Sequence, residues 1–567
     1  MSPSAHNQPV TVLDVSQLTY AERVCAATLQ GLVNRTSPSI YLDYGIYDDP
    51  AARRTNEVFL SDEFWYGKYR ALLGNQDQRN LEYYRARYNL PLAPAASLSA
   101  LIAQHRGTLD GLVVWDEAMP DTVNIAVMLA AHENLLPVTA SLAETLSAHG
   151  LGVRHDLRGR WSDRVSLYRW AFDTLFQGCE AGRVACIEPG WQRPEFIDYV
   201  IQHKIFVYNL SATAGGMGSQ LLLLLAFGPP WLRELLFAAR LDHLIRKFAL
   251  AWMGWKSKEV ALSNRIQRAV KPLPYPTIFG WHTRRDDELA FMLQLSSNGL
   301  RLVPAHLAGN FSFHSKLPAG HPAARPEPVP QPLDPRGVYL SFTLSDGDQL
   351  MMMHTGELGN WYSQQRGSVP FNWETQPLLV EIAPALLEKF TSGATENDCL
   401  VAGPSGAGYI VPPLAPRLDI YMKDTSRICS QAGIDVVTTY VADPPRRTLR
   451  ALARHRGHLA GYLAGYAVIS RAPAGIVDNV PVIANRVPAV SQIWHTAEDL
   501  MQVVREAASL PQPLPAFIGV HLFAYRTAYD DVVKFVESLD MDHVHVVRGD
   551  EFLRLFQESI KRKNNGK

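Results

Sequence analysis

The chain has 567 residues, 47% hydrophobic and 19% charged, an ordinary globular composition with length for about two to four domains. Its net charge of -1 and pI of about 7.0 leave no basic excess for nucleic acid and no acidic tail for a solvating arm. Cys25, Cys179, Cys186, Cys399 and Cys429 are odd in number and show no CxxC spacing. That argues against a zinc site and a dense disulfide framework; buried free thiols are expected, although Cys179 and Cys186 could bridge.

The N-terminal segment has no charged-then-apolar pattern of a signal peptide, which fits a cytoplasmic chain or an exported one whose leader has been removed. Val10–Leu13 reads as a strand, 19–33 as a helix and 39–42 as a strand. A buried-strand pattern at 109–115, a helix at 124–134 and a strand at 136–138 continue a βαβ rhythm, which implies a parallel sheet with covering helices. No GxGxxG follows the first strand, so a dinucleotide site is not supported. Residues 160–255 are mostly helical, with short β runs at 184–187 and 205–208. The apolar run 221–227 is too short to span a bilayer. Segment 231–255 reads as an amphipathic helix with a broad apolar face, and a buried position is favoured over a membrane surface.

A Pro-punctuated break at 271–276 sets the expected boundary between an N-terminal α/β domain, 1–270, and a C-terminal domain, 271–567. Strands are expected at 277–281, 300–304, 338–344, 399–402, 436–440, 463–469, 482–483, 517–520 and 544–547. Helices between them are expected at 286–297, 377–390, 418–432, 447–454, 497–508, 529–539 and 550–557. Pro318 to Pro335 contains seven prolines and reads as an extended loop. Roughly seven to nine βα units fit a (β/α) barrel, with an open doubly wound sheet as the alternative.

In a barrel, the C-terminal ends of the strands form the catalytic face. Asp346 and Asp348 follow the strand at 338–344, and Gly347 between them permits a sharp turn. Such a pair could serve acid–base chemistry on a glycosidic bond, cap a loop, or hold a divalent cation. Paired glycosidase acids usually come from different strands, so Asp398 and Glu374 are the candidate partners. Trp281, His282, Asn310, His314, Tyr440 and His521 fall at or after predicted strand ends, where aromatic faces stack on sugars and polar groups bind hydroxyls. Trp281 has a core Trp as its plain alternative, and Trp373, beside Glu374, is a further candidate for the sugar site. The loop Gly403–Pro413 lacks the Lys-Ser/Thr of a P-loop; Gly406 and Gly408 allow close backbone approach, and Tyr409 could meet a sugar or plug a turn. No Gly-x-Ser-x-Gly elbow appears, and His354, His455 and His458 lack metal-ligand spacing.

Gly406, Gly408, Tyr409 and Pro412 resemble the motif of the bacterial GxGYxYP family, with Val411 standing where the family has a second Tyr. Thr28–Arg35 resembles a helix of that family's N-terminal domain. Phe279–His282 with Glu288, then 296–299, then Asn310–His314, resemble the start of its C-terminal domain. Asn372–Pro377 and Ala394–Asp398, with Asn397, lead into the naming motif. The resemblance implies glycoside hydrolysis of an oligo- or polysaccharide without a required cofactor, with Asn397, Gly406, Gly408 and Tyr409 at the sugar site. A metal-dependent polysaccharide deacetylase-like esterase and a non-catalytic glycan-binding scaffold are the alternatives.

Overall fold

A computed structural model describes residues 9–45, 74–190, 196–281, 288–305, 308–320, 330–345, 350, 360–441, 443–465, 475–487, 497–509, 512–523, 527–539 and 541–565. The chain is mixed α/β, with three small parallel sheets followed by a closed parallel barrel.

The first sheet joins β1 (Val10–Asp14), β2 (Ile40–Asp43) and β3 (Leu92–Pro94) in the order β2-β1-β3. Its crossover helix, Tyr20–Val33, starts at a capping box in which Thr19 accepts from the Glu22 N–H and Glu22 accepts from the Thr19 N–H. Gly31 lets helix Ile197–His203 approach: a Cβ there would lie 2.4 Å from the Asp198 carbonyl oxygen. The second sheet orders β4 (Gly111–Val114), β5 (Leu135–Val138) and β6 (Val153–Asp156) as β5-β4-β6.

The third sheet orders β7 (Arg183–Cys186), β8 (Phe206–Tyr208), β9 (Thr277–Gly280) and β10 (Arg301–Pro304) as β10-β9-β7-β8. Arg183 pairs with Thr277. The break at 271–276 therefore interrupts the chain without separating two sheets. Inserted between β8 and β9 are helices Gly216–Phe227, Pro230–Ala238, Asp242–Lys256 and Lys258–Ala269. Among the described residues no single helix is long and apolar enough to cross a membrane.

The barrel begins at β11 (Val338–Ser345) and continues through β12 (Phe371–Thr375), β13 (Asp398–Ala402), β14 (Val436–Thr439) and β15 (Gly461–Ala464). After the short strand β16 (Gly475–Val477) come β17 (Val480–Val487), β18 (Ala516–Phe523) and β19 (Val544–Val546). The closed order is β11-β12-β13-β14-β15-β17-β18, with β18 and β12 both parallel to β11. β16 lies antiparallel on β17, and β19 pairs with the first half of β11. Strand β12 is not among the elements expected from sequence. The expected helix 377–390 is broken at Pro384 into Leu379–Ile382 and Pro384–Ser392.

One end of the barrel is filled by carbon. Tyr339, Cys399, Val401, Val436, Leu463 and Ile483 form a buried cluster with Phe552, Leu553 and Phe556 of the last helix, Gly549–Asn565. Phe517 stacks on Tyr339 at 5.0 Å and meets Phe552 and Phe556 at 5.4 and 5.3 Å. This apolar layer and its helical plug make a packed core rather than a pore. All five cysteines are free, and burial pushes the Cys25 and Cys179 thiols up to about 12.

Candidate functional site

Above the apolar layer the barrel interior turns polar. Asn372 of β12 donates to Ser341 Oγ (2.9 Å) and Thr343 Oγ1 (3.1 Å) and accepts from the Gly549 N–H (2.6 Å). Two residues further along β12, Glu374 is 1% exposed. Thr438 of β14 donates its hydroxyl to Glu374 Oε1 at 2.8 Å. His521 of β18 places Nε2 3.0 Å from Glu374 Oε2, and Asn485 Nδ2 of β17 lies 3.3 Å from His521 Nδ1. An amide N–H donated to Nδ1 leaves the imidazole proton on Nε2, where it is donated to the carboxylate. Three strands thus meet at one carboxylate near their C-terminal ends, and a fourth reaches it through His521.

Two glycines make the room. A Cβ on Gly403 would lie 1.6 Å from Thr438 Oγ1 and 2.2 Å from Glu374 Oε1. A Cβ on Gly519 would lie 2.3 Å from Asn485 Oδ1. Both positions need the smallest residue because of what faces them.

The loop after β13 runs across to the third sheet. Tyr409 and Leu302 exchange main-chain hydrogen bonds of 2.7 and 2.9 Å, an antiparallel bridge to the edge strand β10. Gly408 adopts φ +92°, donates to Gln376 Oε1 (3.0 Å) and accepts from the Tyr421 hydroxyl (2.5 Å). A Cβ at Gly408 would sit 2.7 Å from Arg301 Cδ, and one at Gly406, φ +130°, 2.5 Å from Thr425 Cγ2. Arg301 itself donates to the Ala407 carbonyl (3.2 Å) and pairs with buried Asp424 (2.7 Å). Tyr409 is fully buried, with its hydroxyl donated to Glu288 Oε1 at 2.8 Å and its ring 5.2 Å from Tyr440. The loop is therefore a clasp that fixes the barrel rim to the N-terminal region and brings the Glu288 carboxylate to Tyr409. Val411 is also fully buried, its N–H donated to Ser296 Oγ.

Several expected site residues lie elsewhere. Asp398 starts β13 at the opposite end of the barrel from Glu374's strand end. It accepts from Trp373 Nε1 (2.8 Å) and from the Thr395 N–H and hydroxyl (2.8 and 2.9 Å), and it pairs with Arg366. These partners saturate it, so it is not brought to Glu374. Asn397 is tied there too, donating to the Gly367 carbonyl (2.7 Å). Trp373 faces outward from the barrel, packed between Trp361, Phe371 and Tyr529. Trp281, Asn310 and His314 belong to the N-terminal region, because β9 and β10 complete the third sheet and do not enter the barrel. Asn310 bonds both Leu42 main-chain groups (2.8 and 2.9 Å), His314 Nδ1 meets the Tyr84 hydroxyl (3.0 Å), and Trp281 is buried. Asp346, Asp348 and His282 lie outside the described residues.

Thr438, Asn485 and Gly519 were not singled out from sequence, and Gly403 was read only as the start of the Gly403–Pro413 loop. Glu288 appears there only as part of the family resemblance. Among the described residues no group of three or more His, Cys, Asp or Glu is arranged to hold a metal ion.

Three family models match the chain: GxGYxYP_N first domain at residues 9–106, GxGYxYP_N second domain at 109–179, and GxGYxYP putative glycoside hydrolase C-terminal domain at 336–557. A crystal structure of a putative hydrolase from Bacteroides thetaiotaomicron VPI-5482 shares the fold. It is 18% identical, covers 98% of this chain and 95% of that one, and superposes with a TM-score of 0.76. A putative polysaccharide deacetylase from Mycobacterium smegmatis, 11% identical, covers 42% of this chain and 95% of its own at a TM-score of 0.29, too low to carry weight. No curated protein matches the chain. The chain belongs to the GxGYxYP family.

Proposed function

We propose that this GxGYxYP chain is a glycoside hydrolase whose reaction takes place at the C-terminal mouth of the barrel, with Glu374 as one catalytic carboxylate. One observation carries the reading: a carboxylate near the C-terminal end of β12 is gripped by Thr438 and His521 from two other strands, in a barrel whose other end is apolar. Barrel enzymes assemble their chemistry from the ends of several strands. The family's description as putative glycoside hydrolases, and the same fold in a Bacteroides protein described as a putative hydrolase, support the same class.

The second carboxylate is Asp346 or Asp348. Both follow β11, which lies between β12 and β18 in the closed sheet. In a retaining or inverting glycosidase the two acids flank the bond, one giving a proton to the leaving oxygen and the other acting as nucleophile or activating water. Thr438 and the His521 Nε2–H orient Glu374, and Asn485 orients His521. The Gly403–Pro413 loop, with Tyr409 buried against Tyr440 and Glu288, braces the rim at which an oligo- or polysaccharide enters. The chemistry needs no cofactor.

The test is a glycan-panel hydrolysis assay on the parent and on Glu374→Gln, Asp346→Asn and Asp348→Asn, with and without EDTA. Release of reducing ends that survives EDTA and fails in Glu374→Gln supports the reading. Acetate release abolished by EDTA would replace it with the esterase. Sugar binding without turnover in the parent would replace it with a glycan-binding scaffold.

A further inference from the structure

Segment 231–255 was expected to be one buried helix; the structure divides it into Pro230–Ala238 and Asp242–Lys256 and buries only one face of each. Helix Asp242–Lys256 is apolar on two opposite faces. Ala249, Leu250 and Met253 are buried. They face helix Gly216–Phe227, where a Cβ on Gly218 would lie 2.5 Å from Met253 Cγ. On the other face Leu244, Phe248 and Trp255 are 54%, 50% and 72% exposed. Trp252 makes them continuous, its ring 5.9 Å from Phe248 and 5.3 Å from Trp255. On the preceding helix and the turn after it, Trp231, Leu235 and Leu241 are exposed as well. A helix on a protein surface usually keeps its apolar residues to one core-facing stripe. A contiguous exposed patch marks an interaction site.

The surrounding charge identifies the partner. Arg240, Lys247 and Lys256 are exposed at the margin of the patch, and Lys256 Nζ stands 4.4 Å over the Trp255 ring. The two acids of the same stretch are engaged. Asp242 is buried beside Arg246 and Arg447, and Glu234 accepts from the Arg446 N–H at 2.7 Å. The adjoining helix, Arg446–Arg454, contains no acid and exposes Arg446, Arg447 and Arg450. A second copy of this chain would set one cationic rim against another. A glycan would want hydrogen-bonding groups among the rings, and Leu235, Leu241, Leu244 and Phe248 offer none. Indole rings at the edge of an apolar face, ringed by Lys and Arg, match an anionic lipid surface.

We propose that the exposed face of helices Pro230–Ala238 and Asp242–Lys256 docks on an anionic membrane surface without crossing it. The apolar side chains enter the headgroup boundary while the cations remain with the phosphates. The test is flotation of the full chain with vesicles of phosphatidylcholine and phosphatidylglycerol in equal parts, against phosphatidylcholine alone. Binding to the anionic vesicles is expected, falling as salt rises, with a blue shift of tryptophan emission. Trp231→Ser with Phe248→Ser and Trp255→Ser should weaken it by at least roughly tenfold. Lys247→Gln with Lys256→Gln should weaken it roughly thirtyfold at low salt. Circular dichroism checks that the variants stay folded. No flotation, or flotation that the apolar variant retains, overturns the proposal. So does a dimer in analytical ultracentrifugation that this variant abolishes while vesicles go unbound.

Discussion

Two buried carboxylates on neighbouring barrel strands are held in opposite ways. Asp398 lies at the N-terminal end of β13, held by a guanidinium, an indole N–H and a Thr turn. Glu374 lies near the C-terminal end of β12, held by one hydroxyl and one imidazole. Both are about 1% exposed, so burial alone does not tell a structural acid from a reacting one. What differs is the partner set. A carboxylate tied by a guanidinium and several hydrogen-bond donors is committed to holding structure. One held by a hydroxyl and an imidazole sits among groups that can pass a proton.

The largest expected effect would separate the two acids by function. Glu374→Gln keeps the side-chain shape and should lower turnover roughly 10²–10⁴-fold, with thermal stability close to the parent's, whereas Asp398→Asn should leave turnover per folded molecule intact. Equal turnover in Glu374→Gln and the parent would remove Glu374 from the chemistry. The reverse effect belongs to stability. Asp398→Ala strands Arg366, the Trp373 N–H and the Thr395 donors, and should cost about 3–5 kcal/mol in chemical denaturation. A smaller effect tests the space around Glu374. Gly403→Ala puts a methyl group on Thr438 and the Glu374 carboxylate; about 1–3 kcal/mol of destabilisation is expected, together with a turnover loss that Asp398→Asn does not share.

The smallest effect concerns a buried lysine held by two neutral oxygens. Lys389 Nζ donates to Asn80 Oδ1 (2.6 Å) and to the Tyr362 hydroxyl (2.7 Å), where the barrel helix Pro384–Ser392 meets helix Gln76–Tyr88. Burial, with Arg79 nearby, lowers its pKa from 10.5 to about 7. Between those values the unfolded chain holds a proton that the folded chain releases, so stability rises with pH across that window and is lost as pH falls towards 7. The slope is about 1.4 kcal/mol per pH unit at most. Denaturation of the parent and of Lys389→Met at two pH values inside the window checks it, because only the parent should carry this slope.

Much of the architecture was legible in local pattern. Helix Leu418–Ala432 falls where the periodicity puts it, and β1, β9, β10, β11, β14 and β18 lie on or beside their apolar runs. Strand β12 was not legible, for an instructive reason. Phe371-Asn-Trp-Glu-Thr375 alternates as a strand should. Asn372 and Glu374, however, point into the barrel, and Phe371 and Trp373 point outward under the helices. A polar face reads as solvent when the enclosed space is itself polar. Likewise Trp281, Asn310 and His314 follow real strands, but strands of a different sheet.

The sequence by itself determined the βα rhythm, the absence of a phosphate loop or nucleophile elbow, and membership in a family, because each is a short-range pattern of residue types. Only the tertiary structure decided that seven strands close while β9 and β10 stay outside. It also decided that the Gly403–Pro413 loop clasps β10, and that Glu374 rather than Asp398 meets His521. These depend on which distant strands pair and at which end of a strand a side chain falls, and neighbours along the chain carry no record of either.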